Sequence, residues 1–380
     1  MSDSRDKPVK LSDLRQAIDS IDSQIHELLN RRARCAQQVA EVKLREFEQA
    51  QQFESGEGNS SAQQLLFYRP EREAQVLARV KAANQGPLAD DTVAYIFREI
   101  MSACLALEKP MEVAYLGPEG TFTQAAALKH FGHAVISVPQ TTIDAVFSQV
   151  ESGQCHYGVV PVENSTEGMV SHTLDAFMNS SLKICGEVEL RVRLNLLIAS
   201  GEAADIKRIC AHQQALAQSR RWLDANFPNV ERVAVSSNGE AARMASTEPG
   251  VAAIAGDLAA QQYGLNKLAV DIEDQPDNTT RFLVIGREDV APSGRDKTSI
   301  VVSAHNRPGA LFKLLEPFEQ NNIMLTRIDT RPSRTETWTY VFFIEFEGHQ
   351  QDAKIASILD TISQQTVMCK ILGSYPKAAL

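Results

Sequence analysis

Long hydrophobic runs are missing from this 380-residue chain. No apolar stretch approaches the roughly 18–20 residues that a membrane-crossing helix needs. The opening Met-Ser-Asp-Ser-Arg-Asp-Lys lacks the apolar core of a secretory signal. Cysteine is sparse: the six residues (35, 104, 155, 185, 210 and 369) form no CxxC pair. That argues against a disulfide framework and a zinc site, and it suits a reducing, cytoplasmic setting. Basic residues are in deficit, 38 Lys and Arg against 48 Asp and Glu, a formal charge of -10. Nucleic acid and anionic membrane are therefore disfavoured as partners. Small anions remain possible ligands wherever Arg and Lys gather locally. No internal repeat is present.

With 43% hydrophobic residues the chain can fill two or three ordinary domain cores. Residues 1–109 read as helical. Leu11, Leu14, Ile18, Ile21, Ile25, Leu28, Cys35, Val39 and Val42 follow a three-four spacing that predicts one long amphipathic helix. Ser12 suits its N-cap, with Asp13 in the first turn. About 35 residues make about 50 Å of helix, more than a domain of about 100 residues covers alone. A partner chain is expected to bury the seam. Residues 49–64, centred on Ser-Gly-Glu-Gly-Asn-Ser-Ser, read as a flexible connection. Pro70 opens a second helix carrying Val76, Leu77 and Val80. Asp90 or Asp91 opens a third with Ile96, Phe97, Ile100, Met101 and Leu105, and Pro110 ends the segment.

From Met111 the period changes. Short apolar strands at 113–116, 135–138, 157–161, 193–199, 251–255 and 282–285 alternate with helical stretches, which predicts an α/β sheet with helices on its faces. Its polar loops follow strand C-termini, where open α/β sheets bind ligands. Residues 292–296 look like a linker. The remainder reads as strand, helix, strand, strand, helix, strand, the order of a ferredoxin-like plait.

Several clusters carry chemistry. Arg32 lies inside the apolar seam, one turn from Leu28 and Ala36, and Lys43 lies one turn past Val39. At 100° per residue the two differ by only about 20°, so they share a face. A cation in a seam costs free energy unless an anion, a salt bridge or a snorkelling conformation compensates it. Arg15 is about 100° away around the helix and would serve a partner's pocket in an antiparallel dimer. Cys104 and Glu108 stand one turn apart on the third helix. Further on, Asp-Asn-Thr-Thr-Arg-Phe at 277–282 leads into an apolar strand. It packs a hydroxyl, an amide and a guanidinium into a strand edge, where they could bind a carboxylate and donate to a leaving oxygen. A polar turn opening a strand would look the same. Gly117-Pro-Glu-Gly-Thr-Phe-Thr123 and Pro161-Val-Glu-Asn-Ser-Thr-Glu-Gly168 also follow strands. Their glycines do not make GxGxxG, so no nucleotide site is expected. His212 has no second ligand at metal spacing. His305-Asn-Arg-Pro-Gly-Ala-Leu311 opens a helix whose N–H groups suit an α-carboxylate.

These residues carry a resemblance. Residues 1–109 resemble the all-helical, dimeric chorismate mutases; 111–288 resemble prephenate dehydratases through the two Gly- and Asn-containing loops and Thr280-Arg281-Phe282; 297–380 resemble the ACT regulatory domain. Together they are similar to the bifunctional P-protein family, in which these parts follow in this order. The resemblance implies an intertwined helical dimer, a two-lobed dehydratase like a periplasmic binding protein, and a ferredoxin-like regulatory plait. It implies that Arg15 is donated to the partner's pocket. It gives Arg32, Lys43 and Arg72 to the substrate carboxylates and ether oxygen, and Glu73 to the ring hydroxyl. Glu108, with Cys104 nearby where a serine is expected, faces the ether oxygen beside Lys43. A carboxyl donates only while protonated, so mutase activity is expected to fall with rising pH and Glu108→Gln to flatten that fall. In the dehydratase, Thr280 is implied as donor to the departing hydroxyl, with Thr121, Asn164, Ser165 and Arg281 binding and orienting carboxylates beside Phe282. Glu163 reads as structural. Asn306, Gly309, Ala310, Leu311, Asp329, Thr330 and Arg331 are implied as the phenylalanine site, with Asp-Thr standing where the family carries Glu-Ser. The implied function is conversion of chorismate to prephenate and then to phenylpyruvate, with feedback by phenylalanine and no cofactor or metal. A non-catalytic amino-acid sensor and an arogenate dehydratase are the alternatives.

Overall fold

The computed structural model describes residues 10–54, 68–166, 168–303, 308–332 and 340–378. Two compact units make up the chain: Met1–Tyr68 with Glu99–Pro110, and Arg69–Arg98 with Met111–Leu380. The expected helical segment therefore divides.

Its helices are α1 (Leu11–Glu54), α2 (Pro70–Ala83) and α3 (Asp90–Glu108). α1 is 44 residues long, so it continues through residues expected to be a flexible connection. Glu, Gln and Ala fill that extension, and all three tolerate helix well. The rest of the expected connection, residues 55–64, lies outside the described residues. The stripe Leu11, Leu14, Ile18, Ile21, Ile25 and Leu28 stays 49–63% exposed. α2 begins on Pro70, as expected, and buries Leu77 completely.

The second unit contains three sheets. A first lobe comprises β1 (Glu112–Leu116), α4 (Phe122–Phe131), β2 (Ile136–Gln140), α5 (Ile143–Glu151), β3 (Tyr157–Asn164), β4 (Gly168–Met169), α6 (Ser171–Asn179) and β5 (Lys183–Arg191). A second holds β6 (Asn195–Ile198), β7 (Arg208–His212), α7 (Gln213–Gln218), α8 (Arg220–Asn226), β8 (Glu231–Val235), α9 (Asn238–Thr247), β9 (Val251–Ala255), α10 (Asp257–Gln262) and β10 (Asn266–Ala269). The chain then returns to the first lobe as β11 (Thr279–Gly286). The first sheet runs β2-β1-β3-β11-β5 with β4 on β3, and the second runs β10-β6-β9-β7-β8. Two lobes crossed twice by the chain match the expected two-lobed architecture.

The last part is β12 (Asp296–Ser303), α11 (Ala310–Gln320), β13 (Leu325–Pro332), β14 (Tyr340–Glu347), α12 (Ala353–Gln365) and β15 (Met368–Pro376). The antiparallel order β13-β14-β12-β15 is that of a ferredoxin-like plait. Side-chain alternation gives its sheet two different faces. Ile344 and Phe346 join Ile300, Val302 and Ile358 under the helices. Val341 and Phe343 turn the other way and share one core with Val160, Ile184 and Leu283 of the first lobe. β15 meets β5 closely at Gly373, where a Cβ would lie 2.4 Å from the Ile184 carbonyl oxygen.

Candidate functional site

In the first unit, α1 and the end of α3 bring together most of the expected helical cluster. Arg32 donates to the Ile100 carbonyl at 3.4 Å. Lys43 Nζ lies 3.5 Å from Glu108 Oε2, an ion pair between side chains 24% and 11% exposed. Cys104, one turn before Glu108, is buried. A lysine and a carboxylate shielded this far from water interact more strongly than a surface pair. Arg15 is exposed and lies about 40 Å along α1 from Lys43. Arg72 and Glu73 belong to the second unit. Arg72 is exposed, and Glu73 pairs at 3.1 Å with Arg98, which also donates to the Lys129 and His130 carbonyls at 2.9 and 2.7 Å. Burial pushes the Glu73 carboxyl above its ordinary range, against the pull of Arg98.

A larger site lies between the two lobes of the second unit. The cleft encloses about 830 Å³, and Thr280, Asn164, Thr121, His212 and Gln218 line it. β3 and β11 pair antiparallel with Thr280 opposite Asn164. The Asn164 amide donates to Thr280 Oγ1 at 2.8 Å and to Asn278 Oδ1 at 2.9 Å. The backbone N–H of Thr166 donates to Asn164 Oδ1 at 3.0 Å, which fixes which end of that amide is the donor. Asn278 in turn accepts from the Thr166 hydroxyl at 3.2 Å and donates to Gln218 Oε1 at 3.0 Å. The Gln218 amide nitrogen is buried without a hydrogen bond among the described residues. Because Thr280 Oγ1 accepts from Asn164, its own hydroxyl hydrogen is left to be given.

Two helix N-termini open on the same space. Thr121 caps α4, accepting from Gln124 N–H at 3.4 Å and donating to the Leu116 carbonyl at 3.1 Å. Ser237 caps α9, accepting from Glu240 N–H at 3.0 Å. Among the described residues, no lysine or arginine lines the cleft. Hydroxyls, amides, His212 and the positive ends of two helices line it together with Glu119 and Glu240. The lobes touch at the rim: Glu119 accepts from Gln262 at 2.8 Å, and a Cβ on Gly239 would sit 2.4 Å from the Glu119 carbonyl oxygen. His212 Nδ1 accepts from Gln214 N–H at 3.3 Å as the cap of α7.

Strand alternation corrects part of the expected ligand set. Arg281 does not line the cleft, because it follows Thr280 on β11 and therefore projects from the opposite face. There it pairs with Glu187 at 2.6 Å and with Glu345 of β14. Phe282 is 2% exposed and also lies off the cleft. Ser165 sits beside the cleft, where its hydroxyl accepts from Thr279 N–H at 3.0 Å. Asn278 and Gln218 are the members that motif reasoning missed. Asn278 stands within the 277–282 motif and Gln218 ends α7, but their amides acquire meaning only once β11, α7 and β3 converge.

In the plait, Gly309 has φ +78° and precedes α11, and Leu311 is 40% exposed. Asn306 lies outside the described residues. Asp329 is paired with Arg327, and Arg331 donates to Ser171 at 2.6 Å and to Asp175 at 3.1 Å. These side chains of β13 thus engage one another and α6.

Comparison with known proteins gives the family. The chorismate mutase type II family model matches residues 14–109, the prephenate dehydratase model 113–290 and the ACT domain model 298–363. A bifunctional chorismate mutase/prephenate dehydratase of Stutzerimonas stutzeri is 57% identical over 372 residues, covering 98% of this chain and 99% of its own. One from Aquifex aeolicus is 42% identical, with 98% and 99% coverage. Among solved structures, prephenate dehydratase in complex with L-Phe from Arthrobacter aurescens superimposes with a TM-score of 0.65 at 36% identity, covering 70% of this chain and 90% of that one.

Proposed function

The chain belongs to the bifunctional chorismate mutase/prephenate dehydratases, and from that premise we propose how its residues divide the two reactions. Residues 1–109 rearrange chorismate, 111–288 aromatise prephenate, and 297–380 sense phenylalanine.

The first reaction needs no nucleophile. The site must hold a compact dianion and stabilise charge developing on the ether oxygen. Arg32 and Lys43 supply positive charge, and the neighbouring Glu108 supplies a second group directed at that oxygen. Arg15 reaches the pocket of a partner chain. The exposed apolar stripe of α1 supports a homodimer.

In the second reaction the bond to the ring carboxylate breaks, its electron pair enters the ring, and the 4-hydroxyl leaves. One proton is taken up, and phenylpyruvate, carbon dioxide and water result. Thr280 donates to the departing oxygen. The observation that carries this is the Asn164-to-Thr280 hydrogen bond: an N–H given to Oγ polarises the O–H that Oγ gives onward. The N-termini of α4 and α9, with Gln218, hold the carboxylates. Six unpaired cysteines support a cytoplasmic protein. The ACT match and the phenylalanine-bound relative support phenylalanine as the effector of the plait.

The test is turnover from chorismate by the purified chain, following prephenate and phenylpyruvate with and without phenylalanine. A chain that binds phenylalanine but forms neither product would be an amino-acid sensor. Faster dehydration of arogenate than of prephenate would reassign the cleft.

A further inference from the structure

Behind Thr280 and Asn164, on the reverse face of the same two strands, Arg281 and Glu163 stand opposite one another in register. Cross-strand neighbours have Cβ atoms about 5 Å apart, and opposite charges so placed normally pair. Here each is drawn away by the plait. Glu163 pairs with Arg327 of β13. Arg281 pairs with Glu345 of β14 as well as with Glu187 of its own sheet. The Glu345 carboxylate is braced further by the Thr326 hydroxyl at 2.6 Å, the Tyr375 hydroxyl at 2.8 Å and Lys297 at 3.4 Å. The cluster is dry, with Arg281, Glu187 and Glu345 side chains 10%, 2% and 7% exposed.

We propose that Arg327 and Glu345 are positioning residues for dehydration, through which the plait grips the β3–β11 ladder from behind and sets the Asn164–Thr280 pair in front. The ladder has a second arrangement within reach. If the plait shifts, Glu163 and Arg281 can pair with each other, so the reverse face exchanges charge partners instead of deforming gradually. An element with two discrete arrangements, biased from both sides, is what coupling between sites requires. The inference rests on the cleft being the dehydratase site.

The experiment uses the full chain with Arg327→Gln, Glu345→Gln and the conservative Arg327→Lys and Glu345→Asp. For each, kcat and KM for prephenate, mutase rate, and the phenylalanine dependence of dehydration are measured. Both Gln variants are expected to lower dehydratase kcat about three- to tenfold with KM nearly constant, and to shift the phenylalanine midpoint by a similar factor. Mutase rate should stay unchanged, circular dichroism and the thermal melt of the full chain report an intact fold, and the conservative variants should recover most of kcat. Wild-type kcat and an unshifted phenylalanine response in both Gln variants would overturn the inference. A wild-type chain that dehydrates prephenate but ignores phenylalanine would remove the sensor role, and kcat alone would then decide. If wild type does not dehydrate prephenate, the reading of the cleft fails and this inference fails with it.

Discussion

The side chains of Asn164 and Thr280 are hydrogen-bonded at 2.8 Å although 116 residues separate them in the chain. The amide and the hydroxyl face the same cleft from adjacent strands, so neither is in place without the other. Removing either end tests the arrangement. Thr280→Ala is expected to lower dehydratase kcat by at least about a hundredfold, as loss of a donor to a departing oxygen does. Mutase rate should be unaffected. Asn164→Ala should follow with a smaller loss, because Thr280 keeps its hydroxyl but loses the N–H that polarises it. Full phenylpyruvate formation by Thr280→Ala would discard its assigned role.

Asn278 carries no resemblance-based role, yet its amide ties Asn164 and Thr166 to Gln218. Asn278→Ala leaves the Asn164 amide with one acceptor fewer and frees Gln218 from its orienting bond. A kcat loss of about tenfold, roughly one hydrogen bond's worth of placement, is expected in steady-state prephenate kinetics.

Gly239 permits the lobes to meet. Gly239→Ala puts a methyl group 2.4 Å from the Glu119 carbonyl oxygen, where both partners are backbone and neither can swing aside. Overpacking of this kind costs about 1–3 kcal/mol. Here it opposes closure, so KM for prephenate is expected to rise about tenfold while chorismate kinetics stay at the wild-type level.

In the helical unit, Lys43→Met removes the cation beside Glu108. Mutase kcat/KM should fall at least about a hundredfold. Added prephenate should still be dehydrated at the normal rate. A mutant with intact chorismate turnover would shift the electrophilic role to another cation.

Burial alone would raise the Glu345 carboxyl, but Arg281 and Lys297 outweigh it and hold it down from 4.5 to about 2. A carboxyl lowered in the folded state stabilises the fold above its unfolded pKa and loses that contribution as pH falls toward the folded one. Stability should therefore decline between about pH 4.5 and about pH 2. Thermal melts of Glu345→Gln from pH 7 down through that window should show a lower melting temperature at neutral pH and a shallower acid decline. A parallel decline in both proteins would assign the acid sensitivity to other carboxylates.

Much of this organisation was legible in the sequence because it rests on local periodicity and short motifs. The α1 seam, the Pro70 start of α2 and the plait order need only neighbours in the chain. β4, β5, β7, β8 and β10 were not foreseen. β5 is interrupted by Gly186 and Glu187, and it is a strand because Glu187 finds Arg281 and Lys297, 94 and 110 residues further on. Arg281 illustrates the limit best. A guanidinium beside a threonine read as a hydroxyl donor suggests a carboxylate ligand, but strand alternation sends consecutive side chains to opposite faces. Only the docked plait reveals which anion it meets.

The double crossing between lobes has a consequence for synthesis. β11 lies between β3 and β5, yet all five strands of the second lobe come between β5 and β11 in the chain. A nascent polypeptide must therefore hold an incomplete first sheet open, with a gap beside β3, while an entire lobe is translated. Closing so long a loop carries its entropic cost before any strand pairing repays it. A ribosome halted before residue 279 would display the helices of the first reaction and a half-built cleft for the second. The two activities of the mature chain should thus emerge in the order in which the substrate needs them.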